Sequence, residues 1–211
     1  MMSNSLISFR NICVSKGEKD ILLHINFNLI ENDFLSIYGN PGSGKTTIYK
    51  VIADLIGFSG EYKLYNNPIT WYSEESIKSV NERIGLMPSS LDFEESLTTI
   101  QNMKIISQNV KISPEEALDI CNAKHLLKRN LMYLNGLERI KVYLAGLLIG
   151  GPELLVLDEP SGELDETRSK EVYDILKKIH SMGITILVLS KKKDFLNYST
   201  KIMYLNKGRL S

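Results

Sequence analysis

The sequence predicts an α/β fold: a parallel core sheet, an antiparallel β flank on its N-terminal side, and a block of helices inserted into the core. Three patterns predict it. The runs FLSIY (34–38), LLVLD (154–158) and ITILVL (184–189) are near-continuously apolar, as strands buried on both faces of a parallel sheet must be. The stretch LLHINFNLI alternates instead, with Leu23, Ile25, Phe27 and Leu29 on one side and His24, Asn26 and Asn28 on the other. That alternation is the mark of a half-buried antiparallel strand. Between residues 90 and 150, approximately, helix signals follow one another without a strand.

Taken in order, FLSIY ends at Gly39, and Ile48, Val51, Ile52, Leu55 and Ile56 then recur at helical spacing until Gly57 stops the helix. EYKLY (61–65) and RIGLM (83–87) read as further strands. Thr98 with Gln101 fits a capping box, and Ser113-Pro114-Glu115-Glu116 fits another with proline at the first helical position. A third helix is expected from Leu137 to Ile149. Val172, Ile175, Leu176 and Ile179 form a helical stripe closed by Gly183. IMYLNKGRL reads as a last strand entering a turn at Asn206-Lys207-Gly208. No repeat or low-complexity linker divides the chain, so one domain over residues 1–211 is expected.

Composition narrows the function classes. Twenty-five basic and twenty-five acidic residues cancel, which argues against a nucleic-acid binder. The one basic run, Lys191-Lys192-Lys193, reads as a solvated turn. Cys13 and Cys121 have no metal or redox spacing and read as free thiols in a reducing compartment. The N-terminus MMSNSLISFRN lacks the charged start and apolar core of a secretory signal. The most apolar stretch, Val142 to Leu157, is interrupted by Gly146, Gly150, Gly151, Pro152 and Glu153, and falls short of the ~20 residues of a membrane helix. A cytoplasmic protein is expected, one that reaches a membrane only through a partner.

The chemistry is concentrated in two places. Gly39-Asn40-Pro41-Gly42-Ser43-Gly44-Lys45-Thr46, followed by Thr47, fits a phosphate loop between a strand and a helix. Its glycines let successive N–H groups converge on phosphate oxygens, and the helix adds the positive end of its dipole. Lys45 can reach the outer phosphates and the Thr46 hydroxyl can ligate Mg²⁺. Much later, LLVLDEP sets Asp158 at the carboxyl end of a buried strand, where it can hold the Mg²⁺, and Glu159 beside it can orient an attacking water.

With these motifs on the page, the chain resembles the ATP-binding subunit of an ATP-binding-cassette (ABC) transporter, over almost its whole length from FRNICVSKG to LNKGRL. EPSGELD matches that family's D-loop, with Asp165 in place, and SLTTIQNM resembles the opening of its helical insert. LNGLERIKVYLAGLL falls where the family carries its LSGGQ signature, so that Asn135 and Gly136 would face nucleotide. The resemblance implies a P-loop NTPase with a RecA-like core, ATP and Mg²⁺ as ligands, and catalysis by Glu159 and Lys45. It also implies head-to-tail pairing of two cassettes, each ATP lying between one phosphate loop and the other's signature. A transmembrane permease would dock on the helical insert and on the loop after IGLMP.

Four departures stand out. Asn135 replaces the signature serine and Leu137 a glycine; Ser89 replaces the glutamine after IGLMP; Lys191, or Ser190 with a slip of register, stands at the switch histidine; and Lys16 in VSKG replaces the aromatic that stacks on adenine. Together they imply slow hydrolysis with nucleotide binding retained. Because Lys45, Asp158 and Glu159 serve the chain's own site while LNGLE serves the opposite one, a heterodimer with a different ATPase is expected over a homodimer. The chain stops soon after NKGRL, without the C-terminal extension of some importer ATPases, so an exporter is expected. The alternative is a regulatory module that binds nucleotide and dimerises but hardly hydrolyses.

Overall fold

The computed structural model describes residues 5–107 and 110–211. The first four residues of the N-terminal stretch, and Gln108 and Asn109 of the expected helical block, lie outside the described residues.

The antiparallel flank begins with β1 (Ser5–Lys16) and β2 (Lys19–Ile30), which form a long hairpin. The inward face of β2 is Leu22, Ile25, Phe27 and Leu29, not Leu23 as simple alternation predicts. A bulge causes the change: Ile12 faces Ile25 but Val14 faces Leu22, and His24 between them takes φ 53°. A matching irregularity at Asn11 (φ 55°) on β1 lets the two strands bend together. Each bulge moves one residue out of the period of two, which is why the pattern misassigns Leu23.

The core strand β3 (Phe34–Tyr38) runs into the phosphate loop and then α1 (Lys45–Ile52). The helix ends earlier than its apolar spacing predicts. Asp54 turns to φ 55° with its carboxyl buried and accepts the Tyr72 N–H at 3.3 Å, so Leu55 is left exposed rather than buried. Then come β4 (Ser59–Leu64) and the short β5 (Asn67–Pro68), which add to β1 to give the sheet order β2-β1-β4-β5. The helix α2 (Glu74–Arg83), capped by Ser73, was not signalled by any clear apolar stripe; of its residues only Ser76 and Val80 are buried.

After β6 (Ile84–Met87) the chain leaves the sheet for three helices: α3 (Thr99–Ile106), α4 (Pro114–Ile120) and α5 (Gly136–Ile149). The expected box at Thr98 is present, with Gln101 Oε1 accepting the Thr98 N–H at 2.9 Å, and at Ser113 its N-cap half, Ser113 Oγ accepting the Glu116 N–H at 3.1 Å. The chain returns through β7 (Leu154–Asp158), α6 (Glu166–Ser181), β8 (Thr185–Ser190), β9 (Lys201–Asn206) and β10 (Arg209–Leu210). The second sheet has the order β10-β9-β3-β8-β7-β6, parallel throughout except for β10.

Alternate residues of the core strands divide between two apolar layers. Leu155, Leu157, Ile186 and Val188 pack with α3–α6, while Leu154, Val156, Leu187 and Leu189 pack with α1 and the antiparallel sheet. Both faces are therefore covered, which is the reason these strands read as unbroken apolar runs. Adjacent strands β3, β8 and β7 end on one side, and that row of carboxyl ends positions the site.

Candidate nucleotide site

The phosphate loop is shaped by steric demand. A Cβ on Gly39 would stand 2.5 Å from the Leu205 carbonyl oxygen, and Gly44 takes φ 113°, where a Cβ would stand 2.8 Å from Leu22 Cδ2. Gly42 has open space around it but takes φ 77°, a left-handed conformation that costs any other residue strain. Ser43 Oγ is buried in this loop without a hydrogen-bond partner. Lys45 opens α1 with a nearly buried side chain, its Nζ donating to the carbonyls of Gly39 at 2.7 Å and Asn40 at 3.2 Å. Thr47 donates its N–H to Gly44 O at 3.0 Å, closing the first turn, and Asn40 and Pro41 form the exposed rim.

Glu159 comes to the same place from the end of β7. Its carboxylate lies 3.4 Å from Lys45 Nζ and accepts the Lys191 N–H on both oxygens at 3.0 and 3.1 Å. Its backbone sits at φ 51°, a rare conformation for a non-glycine residue of the kind that collects at functional sites. The candidate base and the candidate phosphate lysine thus neutralise each other across the mouth of the loop.

Asp158 is 1% exposed, and both its carboxylate oxygens lack a hydrogen-bond partner. Burial holds its carboxyl above the usual carboxylate range, and the neighbouring Glu159 pushes it the same way. The Thr46 and Ser89 hydroxyls and Lys45 lie near enough to pull it partly back, yet neither hydroxyl reaches it with good hydrogen-bond geometry. An orphaned buried carboxylate beside a threonine hydroxyl is a donor set suited to a hard divalent cation. The residues present therefore fit Mg²⁺, with Thr46 and Asp158 as its holders.

Beside the loop, a cleft of about 560 Å³ is lined by Lys16, Lys19, Asp20, Gly42 and Lys207, with no aromatic ring. The expected replacement of a stacking ring by Lys16 thus falls on the wall of this cleft.

The remaining predicted residues gather elsewhere. Asn135 caps α5: its Oδ1 accepts the Glu138 N–H at 3.0 Å while Glu138 Oε2 accepts the Asn135 N–H at 2.9 Å. Asp165 caps α6 by accepting the Arg168 N–H at 2.9 Å. Among the described residues, no hydrogen bond or ion pair joins Asn135, Gly136 or Asp165 to Lys45, Asp158 or Glu159. Leu164 does approach Gly136, to 3.7 Å from where a Cβ would lie. Lys191 points its Nζ away from the loop, to Glu163 at 2.7 Å. The lysine run is not wholly a solvated turn: Lys192 is half-buried and donates to the Leu164 carbonyl and to Ser169 Oγ. No spacing in the sequence distinguishes Lys192 from its neighbours.

A family model described as ABC transporter matches residues 22–162, a span that holds the phosphate loop, the helical insert, Asp158 and Glu159. The chain belongs to the ABC transporter family. Three likenesses agree. The energy-coupling factor transporter ATP-binding protein EcfA2 of Streptococcus pyogenes is 34% identical over 203 residues, covering 90% of this cassette and 72% of the relative. Among solved structures, cbiO1 from Clostridium perfringens, part of the ABC transporter complex cbiONQ, superposes with a TM-score of 0.87 at 24% identity, covering 99% of this cassette and 87% of that chain. The dimeric structure of MJ0796, a bacterial ABC transporter cassette, gives 0.84 at 23% identity, covering 97% of each chain. At such identities the two structures speak for the fold. The cassette is thus an ABC ATPase, the ATP-binding subunit of a transporter, as the motifs predict.

Proposed function

We propose that this cassette binds ATP with Mg²⁺ at its own phosphate loop, hydrolyses it with Glu159, and powers a separate transmembrane permease of the energy-coupling factor type. One observation carries the reading: Lys45, Asp158 and Glu159 converge at the ends of β3 and β7 with two carboxylate oxygens left unsatisfied. Lys45 holds the outer phosphates, the Asp158 carboxylate and the Thr46 hydroxyl hold the cation, and Glu159 orients the attacking water. A cation held there by Thr46 and Asp158 would supply positive charge against that of the phosphates. Glu159 must first leave its contacts with Lys45 and the Lys191 N–H, an exchange that phosphate entering the loop favours.

The expectation of an exporter is withdrawn. The relatives named for the energy-coupling factor transporter give it no support, and the reading is for an importer of that type. The cassette acts as one domain over residues 1–211, with its helical insert between β6 and β7. The permease docks beside that insert, where a groove of about 550 Å³ is lined by Lys78 and Arg83 of α2, Ile105 of α3, and Tyr143 and Leu147 of α5. No helix among the described residues is long and apolar enough to cross a membrane; in this reading the cassette is held at the cytoplasmic face by its permease.

The pairing we favour is with a different ATPase. Lys45, Thr46, Asp158 and Glu159 are all in place at the phosphate loop, whereas Asn135 and Leu137 sit where the opposite ATP would need a serine and a glycine. Tagging this chain in its native host and identifying what co-purifies from solubilised membranes tests the whole proposal. A permease with a second ATPase is expected; a permease with this chain as its only ATPase would contradict the heterodimer, and no membrane protein at all would contradict the transporter role.

A further inference from the structure

The cleft beside the phosphate loop lies on the side away from the candidate base and cation holder. In the sheet order β10-β9-β3-β8-β7-β6, Asp158 and Glu159 leave β7 on one side of β3, and the turn Lys207-Gly208 between β9 and β10 stands on the other. Outer phosphates drawn toward Lys45 and the end of β7 therefore leave the base end of a nucleotide to this cleft. Its floor is tied to the phosphate loop. Gly208 donates its N–H to the Ser43 carbonyl at 3.0 Å, and Leu23 of β2 donates to the Gly208 carbonyl at 2.8 Å.

The walls are charged. Lys16 and Lys19 face each other across the end of the β1–β2 hairpin, Asp20 follows on β2, and Lys207 comes from the turn after β9. All four residues are exposed. Among the described residues, none of the three ammonium groups makes a hydrogen bond or an ion pair. Asp20 is held from one side, by Ser15 Oγ donating to its Oδ1 at 2.7 Å. Its Oδ2 has no partner among the described residues, and Oδ1 keeps a second lone pair.

A base with no ring to stack on is held by its edges. Guanine presents O6 and N7 as paired acceptors, the edge that lysine reads, and N1–H and N2–H₂ as paired donors that a carboxylate accepts on two oxygens. Adenine sets its N6 amino donor where guanine has O6, a pattern that an amide side chain matches and an ammonium opposes. Lysine and aspartate on one wall thus complement guanine along two edges.

We propose that Asp20 reads the base of the bound nucleotide, and that this cassette takes GTP at least as well as ATP. The inference rests on the nucleotide-binding reading given above and names the base to which its site is suited. Asp20 accepts the N1–H and N2–H₂ donors, while Lys16, Lys19 and Lys207 supply ammonium groups for O6 and N7. The phosphate loop meets the same triphosphate in either case.

The test is an equilibrium titration of the full chain with ATP and with GTP in the presence of Mg²⁺, read by calorimetry. GTP is expected to match ATP or to exceed it by up to about tenfold in affinity. Asp20→Asn turns the carboxylate into the amide that suits adenine, at an exposed position outside the core. It is expected to lower GTP affinity about tenfold and to put ATP ahead. Weaker binding of GTP than of ATP by the unaltered chain would overturn the proposal. So would an Asp20→Asn variant that leaves the ratio of the two affinities unchanged. Failure of the unaltered chain to bind either nucleotide would instead remove the nucleotide-binding reading, and the choice of base with it.

Discussion

The end of β7 and the start of α5 both carry polar side chains that resemblance assigns to nucleotide, but they differ in how those side chains are satisfied. At the end of β7, Asp158 keeps two buried oxygens without a partner, and Ser43 Oγ in the adjoining loop is likewise unpaired. At the start of α5, Asn135 and Glu138 satisfy each other in a closed capping box, and Arg129 stands 3.9 Å from the Glu138 carboxylate. A buried polar group without a partner destabilises the folded chain, and at the mouth of a phosphate loop a bound ligand is a fitting partner for it. A closed capping box stabilises its helix whether or not a ligand comes. The comparison teaches that the end of β7 leaves polar atoms available to a ligand, while the start of α5 uses its own to begin a helix.

The variants that would break or sharpen this contrast differ in scale. The largest effect is expected from Lys45→Met, which removes the ammonium bonded inside the phosphate loop; ATP affinity should fall about 100-fold or more in an equilibrium titration. An affinity loss below about tenfold would show that the loop N–H groups alone hold the phosphates. Asp158→Asn should act in opposite directions on two readouts. It removes a buried, unpartnered charge, so the metal-free chain should gain about 1–2 kcal/mol in denaturant unfolding, while Mg²⁺-dependent turnover is lost. A destabilised metal-free variant would mean that Asp158 already has partners and that the contrast with α5 is wrong.

Asn135→Ala should cost about 1 kcal/mol of stability through the lost cap. Its effect on turnover at this chain's own loop should stay within about threefold. The smallest effect concerns Cys121, whose thiol burial pushes up to about 12. It should resist alkylation in the folded chain at pH 8, where mass spectrometry should find Cys13 modified first. The raised value also means that Cys121 adds nothing to pH dependence below 9.0, its ordinary value, and that stability falls only as pH climbs from there toward about 12.

The legibility of this molecule in its sequence followed the same division between local and long-range causes. The phosphate loop and the Asp158-Glu159 pair were readable because their chemistry is written in consecutive residues at a strand end. The core strands were readable because both their faces are apolar. Leu23 was assigned to the wrong face because bulges at Asn11 and His24 are set by pairing between strands, which no single strand reveals. The end of α1 was missed because Asp54 finds its partner at Tyr72, in a different element. Lys192 was read as one of three solvated lysines because the carbonyl it holds lies 28 residues earlier in the chain.

The most direct test of the contrast is to measure ATP binding and turnover in parallel for Glu159→Gln and Asn135→Ala. The account predicts that Glu159→Gln keeps ATP bound and lowers turnover at this chain's own loop about 100-fold or more, with Asn135→Ala leaving it nearly unchanged. The reverse ranking, with Asn135 governing turnover and Glu159 dispensable, would contradict the claim that the end of β7 is where this cassette does its chemistry.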